Sequence, residues 1–103
     1  MAEFIKLATV DDIPLDTMKT IRIAGKRIAL AHVEGEFFAI DDTCSHANCS
    51  LGSQGFLDGT AVICGCHGAQ FDVTTGDVLS LPATSPVASY EVKIEGNDIL
   101  IAL

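Results

Sequence analysis

Two short stretches carry the side chains best able to do chemistry. Cys44-Ser45-His46 is followed further along by Cys64-Gly65-Cys66-His67, and each stretch offers one thiolate and one imidazole at the spacing of a metal clamp. Four soft or borderline ligands, Cys44, His46, Cys64 and His67, therefore imply a bound metal centre. Zinc is one candidate, since two Cys and two His can close a tetrahedral site and would make the chain a zinc-stabilised interaction module. Against zinc, the first clamp is Cys-x-His with a single intervening residue, whereas zinc modules usually pair Cys with Cys at one end and His with His at the other. A c-type haem needs Cys-x-x-Cys-His, and this chain has Cys-Gly-Cys-His. The third histidine, His32, lies in the apolar run Leu30-Ala31-His32-Val33 with no ligand-spaced neighbour, and reads as a structural or surface residue.

Such clamps need a rigid frame, and the chain supplies short strands. Gly-centred turns recur at Ala24-Gly25-Lys26, Glu34-Gly35-Glu36, Asp58-Gly59-Thr60, Thr75-Gly76-Asp77 and Glu95-Gly96-Asn97. Between them, Thr20 to Ile23, Arg27 to Val33, Phe37 to Ile40, Ala61 to Cys64, Ala88 to Ile94 and Ile99 to Leu103 are rich in β-branched or aromatic residues and read as strands. The expectation is an all-β domain. Its only helical candidate is a single turn near Val10 to Ile13, where Asp11-Asp12 lead towards Pro14. The ligand region, about residues 42–72, is a Gly- and Ser-rich insert between strands, as expected where loops on a scaffold carry a site. Leu81-Pro82-Ala83-Thr84-Ser85-Pro86 holds two prolines, so it is a stiff loop that could form a third wall beside the two ligand loops.

The chain has 103 residues, 49% of them hydrophobic, which suits one domain over residues 1–103. Apolar runs such as Ile28 to Ala31 and Phe37 to Ile40 are far too short to span a bilayer, so no membrane segment is expected. The start, Met1-Ala2-Glu3-Phe4-Ile5-Lys6, lacks the pattern of a secretory signal, and a cytoplasmic protein is expected. Fourteen acidic against six basic residues give a net charge of −8, which argues against nucleic acid and for a protein partner with a basic patch.

Beyond the ligands, Cys44-Ser45-His46-Ala47-Asn48-Cys49, Cys64-Gly65-Cys66-His67-Gly68-Ala69-Gln70-Phe71-Asp72, Thr75-Gly76 and Leu81-Pro82-Ala83 resemble the Rieske family in order and spacing, over nearly the whole chain. That resemblance implies an antiparallel β-sandwich with a small cluster-binding subdomain. It also implies one 2Fe-2S cluster, with Cys44 and Cys64 on the inner iron and His46 and His67 on the outer, solvent-facing iron. Two neutral imidazoles in place of two thiolates leave the oxidised cluster near neutral and make an electron easier to add, in a window of roughly −150 to +300 mV. With its length, the chain looks like a soluble Rieske ferredoxin, a component that carries electrons from a flavin-containing reductase to a terminal ring-hydroxylating oxygenase and is not itself an enzyme. An oxygenase would need a second, mononuclear iron site, and only His32 is left over to serve it.

Two further features follow from the same resemblance. Cysteines at the places of Cys49 and Cys66 form a loop-tying disulfide in respiratory-type members, worth about 3 kcal/mol in the chain-entropy model. Such a bridge favours a respiratory-type relative, within an alternative reading of the chain as a Rieske subunit of another oxidoreductase, respiratory-type or nitrite-reductase-like. Ala69 and Phe71 point the other way, because they occupy places where high-potential members have Ser and Tyr donating hydrogen bonds to sulfur. Without those donors the potential is expected to fall below zero.

Overall fold

A continuous apolar run such as Ile28 to Ala31 signals a strand covered on both faces, because a half-exposed strand would alternate. The structure, a computed structural model, describes residues 3–43, 49–65, 68–80 and 86–102. In chain order these residues form β1 (Phe4–Thr9), a 3-10 turn (Val10–Asp12), β2 (Thr17–Ile23), β3 (Lys26–Val33), β4 (Glu36–Asp41), α1 (Leu51–Gln54), β5 (Phe56–Asp58), β6 (Ala61–Ile63), β7 (Gln70–Asp72), β8 (Val78–Ser80), β9 (Ser89–Tyr90), β10 (Val92–Glu95) and β11 (Asp98–Ala102). The strands pair antiparallel in three sheets, ordered β1-β11-β10, β2-β3-β4-β9 and β5-β6-β7-β8. The expected all-β, antiparallel sandwich is the architecture observed. No helix among the described residues is long and apolar enough to cross a membrane.

β3 is the shared wall of the molecule. Successive side chains of a strand point to opposite faces. Ile28 and Leu30 therefore join Leu7, Ile13, Ala39, Ile99 and Ile101 in one buried cluster, while Ala29, Ala31 and Val33 join Ile40, Val62, Phe71 and Val73 in another. The first cluster binds the middle sheet to β1 and β11. The second binds it to β6 and β7, and so to the segment that carries the expected ligands. The hairpins flanking β3 turn on Ala24-Gly25 and Glu34-Gly35, with φ of 52° and 76° in one and 54° and 81° in the other. Two left-handed central residues match the twist of paired strands, and glycine adopts the second position without steric cost.

Three sequence expectations need correction. The turn near Val10 is present, with the Asp12 carboxylate accepting from Thr9 N at 3.2 Å and Thr9 Oγ1 at 3.0 Å, but it is not the only helical element. α1 forms inside the ligand region, capped by Ser50, whose Oγ accepts from Ser53 N at 3.1 Å. The expected strand from Ala88 to Ile94 is two strands in different sheets, since β9 pairs with β4 and β10 with β11, and the chain changes sheet at Glu91. The ligand region also holds more than the one strand expected there at Ala61 to Cys64, because β5 and β7 flank β6 within it.

Candidate metal centre

β6 ends at Ile63 and delivers Cys64 to the tip of a hairpin. Ile63 pairs with Gln70, and beyond that pair Cys64 N donates to Ala69 O at 2.7 Å while Gly68 N donates to Cys64 O at 3.0 Å. The return needs a left-handed residue, which Gly68 supplies at φ 76°. Cys64 is 1% exposed with a free thiol, so its sulfur is a soft donor already withdrawn from water at a fixed point of the backbone. Ala69 and Phe71 lie beside it in the same apolar cluster, both fully buried. Neither side chain carries a hydrogen-bond donor.

The first ligand stretch leaves from the end of β4. Its base is closed by an isolated antiparallel bridge between Thr43 and Ser50, with Arg27 donating to Thr43 Oγ1 at 2.8 Å. Asp42 is fully buried there. Its backbone N donates to Arg27 O at 3.1 Å, and its carbonyl accepts from Leu51 N at 2.6 Å, at the start of α1. Its Oδ1 accepts from Gly52 N at 2.8 Å and from Thr20 Oγ1 at 2.7 Å.

α1 then reaches the second ligand hairpin. The backbones meet so closely that a side chain at Gly65 would land on the Gln54 carbonyl, and one at Gly55 would sit 2.7 Å from Ile63 O. Glycine is the residue that permits such an approach. Asp42 and Gly65 are thus tied to one short helix, although β5 and β6 lie between them in sequence.

Of the expected ligands, Cys64 is placed as described; Cys44, His46 and His67 lie outside the described residues. So do Cys66 and Pro82. Cys49 is half-buried, packs against the cluster containing Cys64, and is disulfide-bonded. His32 is structural, as expected: its Nδ1 lies 2.8 Å from Ile13 O and its ring stacks on Phe37 with centroids 4.1 Å apart. Asp42 and Thr20 were not legible as site residues. Asp42 stands two places before Cys44, which is a weak signal, and Thr20 carries none. A groove of about 560 Å³ is lined, among the described residues, by Phe37, Phe38, Tyr90 and Val92 and does not include Cys64.

Charge is divided unevenly along the chain. Lys6, Lys19, Arg22, Lys26, Arg27 and Lys93 are its only Lys and Arg residues, so no cation falls between positions 28 and 92. The sheet that carries Cys64 holds Asp58 and Asp72 and no basic residue. Two of the cations already face carboxylates in exposed pairs, Lys6 with Asp98 and Lys93 with Glu95, each at 3.3 Å.

Comparison with known proteins agrees with this geometry. The model of the Rieske [2Fe-2S] domain matches residues 3–91. The biphenyl dioxygenase ferredoxin subunit of Pseudomonas sp. (strain KKS102) is 39% identical over 95% of this chain and 90% of its own. The 3-phenylpropionate/cinnamic acid dioxygenase ferredoxin subunit of Shigella flexneri serotype 5b (strain 8401) is 51% identical over 74% of this chain and 72% of its own. Among solved structures, the ferredoxin of carbazole 1,9a-dioxygenase from Nocardioides aromaticivorans IC177 superposes with a TM-score of 0.91 at 29% identity, covering 96% of each chain.

Proposed function

The chain belongs to the Rieske [2Fe-2S] domain family, and from that premise we propose that it is the ferredoxin component of an aromatic-ring dioxygenase system. In that role it relays single electrons from a flavin-containing, NAD(P)H-dependent reductase to a terminal ring-hydroxylating oxygenase. The observation that carries this reading is the nearly end-to-end match to proteins with that role, 95% of this chain and 90% of the biphenyl dioxygenase ferredoxin subunit.

Family membership selects a single 2Fe-2S cluster over zinc. Cys44 and Cys64 would hold one iron through sulfur, and His46 and His67 the other through ring nitrogen. When bound, the cluster supplies one-electron oxidation and reduction. The chain's own part is to position the donors and set their surroundings. Cys64 suits this, being free, buried and fixed by backbone hydrogen bonds on both its N–H and its C=O. Ala69 and Phe71 donate nothing towards sulfur, which favours a potential below zero, suited to a nicotinamide-linked donor. The Pro82 segment would close a third side.

The absence of Lys and Arg from residues 28–92 suits a partner whose docking face is basic, because complementary charge speeds encounter more than it tightens the complex. A cytoplasmic setting completes the reading.

A second reading has one observation in its favour. Cys49 is disulfide-bonded, and a bridge to Cys66 would resemble the respiratory-type members of the family. Optical and low-temperature EPR spectra before and after dithionite, with iron content and potential on the same sample, separate the readings. Two irons per chain, a rhombic reduced signal and a potential below zero are expected, followed by NAD(P)H-dependent turnover when a ring-hydroxylating oxygenase and its reductase are added. A potential well above zero would favour the respiratory type, and a colourless zinc protein would overturn both.

A further inference from the structure

We propose that Thr20, on β2 and far in sequence from every expected ligand, is a positioning residue for the metal centre, its hydroxyl fixing Asp42 and through it the spacing of the two cysteine-bearing loops. The proposal rests on the cluster reading above. Thr20 Oγ1 lies 2.7 Å from Asp42 Oδ1, 3.0 Å from Ser50 Oγ and 2.9 Å from Ser53 Oγ. A hydroxyl has one proton to give and two lone pairs to receive. The proton goes to the Asp42 carboxylate oxygen, which leaves Ser50 and Ser53 as donors to Thr20. All of the hydroxyl's capacity is then used, on three partners that come from the base of the first ligand stretch and from α1.

Asp42 is the centre of the arrangement. It is fully buried, its Oδ1 accepts only from Thr20 and Gly52, and its Oδ2 has no hydrogen-bond partner among the described residues. A buried carboxylate so sparsely satisfied keeps its place only if the bonds it has are secure. The same residue receives Leu51 N on its carbonyl, and the far end of α1 abuts Gly65, the residue after Cys64. A side chain at Gly52 would press on Thr20 N and on Asp42 Oδ1, at 2.7 and 2.8 Å, so the node has no slack. Asp42, α1 and Gly65 thus form a strut between the residue two places before Cys44 and the residue one place after Cys64, and Thr20 is the pin at one end of it.

The test compares Thr20→Val, which keeps shape and removes the donor, with Thr20→Ser, which keeps the hydroxyl. Both are measured as holoprotein by EPR g-values after dithionite, by reduction potential and by the half-life of the visible absorption under excess chelator, with circular dichroism as a check on fold. Thr20→Val is expected to shift the g-values and shorten the half-life about tenfold, since a buried acceptor loses its donor. Thr20→Ser is expected to retain the wild-type values. Wild-type g-values and half-life in Thr20→Val, or equal changes in both variants, would overturn the proposal. If Thr20→Val yields no folded protein, Ser53→Ala decides: a smaller shift of the same g-values supports the proposal, and an unchanged spectrum refutes it. A wild-type protein without a 2Fe-2S signal would sink the proposed function and this inference together, whereas a normal wild type with an unmoved Thr20→Val sinks this inference alone.

Discussion

The phenol of Tyr90 donates to Oδ1 of Asp41 across 2.5 Å, joining residues 49 apart in sequence. The contact lies where β9 pairs with β4, reinforced by Asp41 N donating to Ala88 O at 2.8 Å. Asp41 is the last residue of β4, so the bond secures the strand end from which the first ligand stretch departs.

Tyr90 should titrate late. Burial, then its hydrogen bond to Asp41 and the charge of that carboxylate, push its phenol up to about 12. The folded value lies above the unfolded value of about 10, so the neutral phenol's contribution to stability is complete below pH ~10 and is lost as pH rises through about 12. Tyr90 is the only tyrosine, so tyrosinate absorbance reports it alone. The folded protein should remain unionised well past pH ~10, and Asp41→Asn should bring the midpoint down. A native midpoint at the unfolded value would refute the arrangement.

Gly65→Ala should be among the most damaging of the small substitutions. Its methyl group would meet the Gln54 carbonyl, a backbone group that cannot swing aside. A loss of about 2 kcal/mol or more is expected in denaturant unfolding, accompanied by poor cluster retention. Normal stability would mean that the ligand hairpin and α1 are not held as closely as described.

Ala69→Ser with Phe71→Tyr should raise the reduction potential if the absence of donors beside Cys64 sets it. A new hydrogen bond that favours the reduced state tenfold corresponds to about 60 mV for one electron. Protein-film voltammetry would show the rise, and no upward shift would remove these two residues from the account of tuning.

The two buried clusters should separate stability from tuning. Ile101→Ala, in the cluster shared by β1, β3 and β11, should cost about 2–5 kcal/mol in unfolding and leave the potential unchanged. Val62→Ala lies in the cluster that holds Cys64, and it should destabilise the fold and shift the potential as well. Equal potentials in the two variants would mean that packing around Cys64 has no hold on the centre.

The middle sheet was legible because β3 and β4 centre on the apolar runs Ile28 to Ala31 and Phe37 to Ile40 between Gly turns. β5, β7 and β8 are three residues each, too short to display a period, and they lie among glycines that read as loop. α1 was illegible for a related reason. Leu51-Gly52-Ser53-Gln54 has a glycine inside it and barely one turn, so it owes its form to the Ser50 cap and to Asp42 rather than to its own propensity. The Cys and His spacing marks four candidate ligands, of which Cys64 alone is among the described residues. The polar node at Thr20 was not legible, since its partners are brought together only by folding.

Cys64, Ala69 and Phe71 share one apolar cluster with Ala29, Ala31 and Val33 of β3, the strand at the centre of the molecule. Close-packed interiors resist deformation. In an electron carrier, the barrier to transfer grows with the distance that nuclei must shift between the oxidised and reduced states. A cluster held through Cys64, as proposed above, would have its sulfur packed against the central wall of the fold, where neighbours can shift little through that change. The packing that stabilises the domain would in this way also lower the reorganisation energy, and so let the electron leave as readily as it arrives.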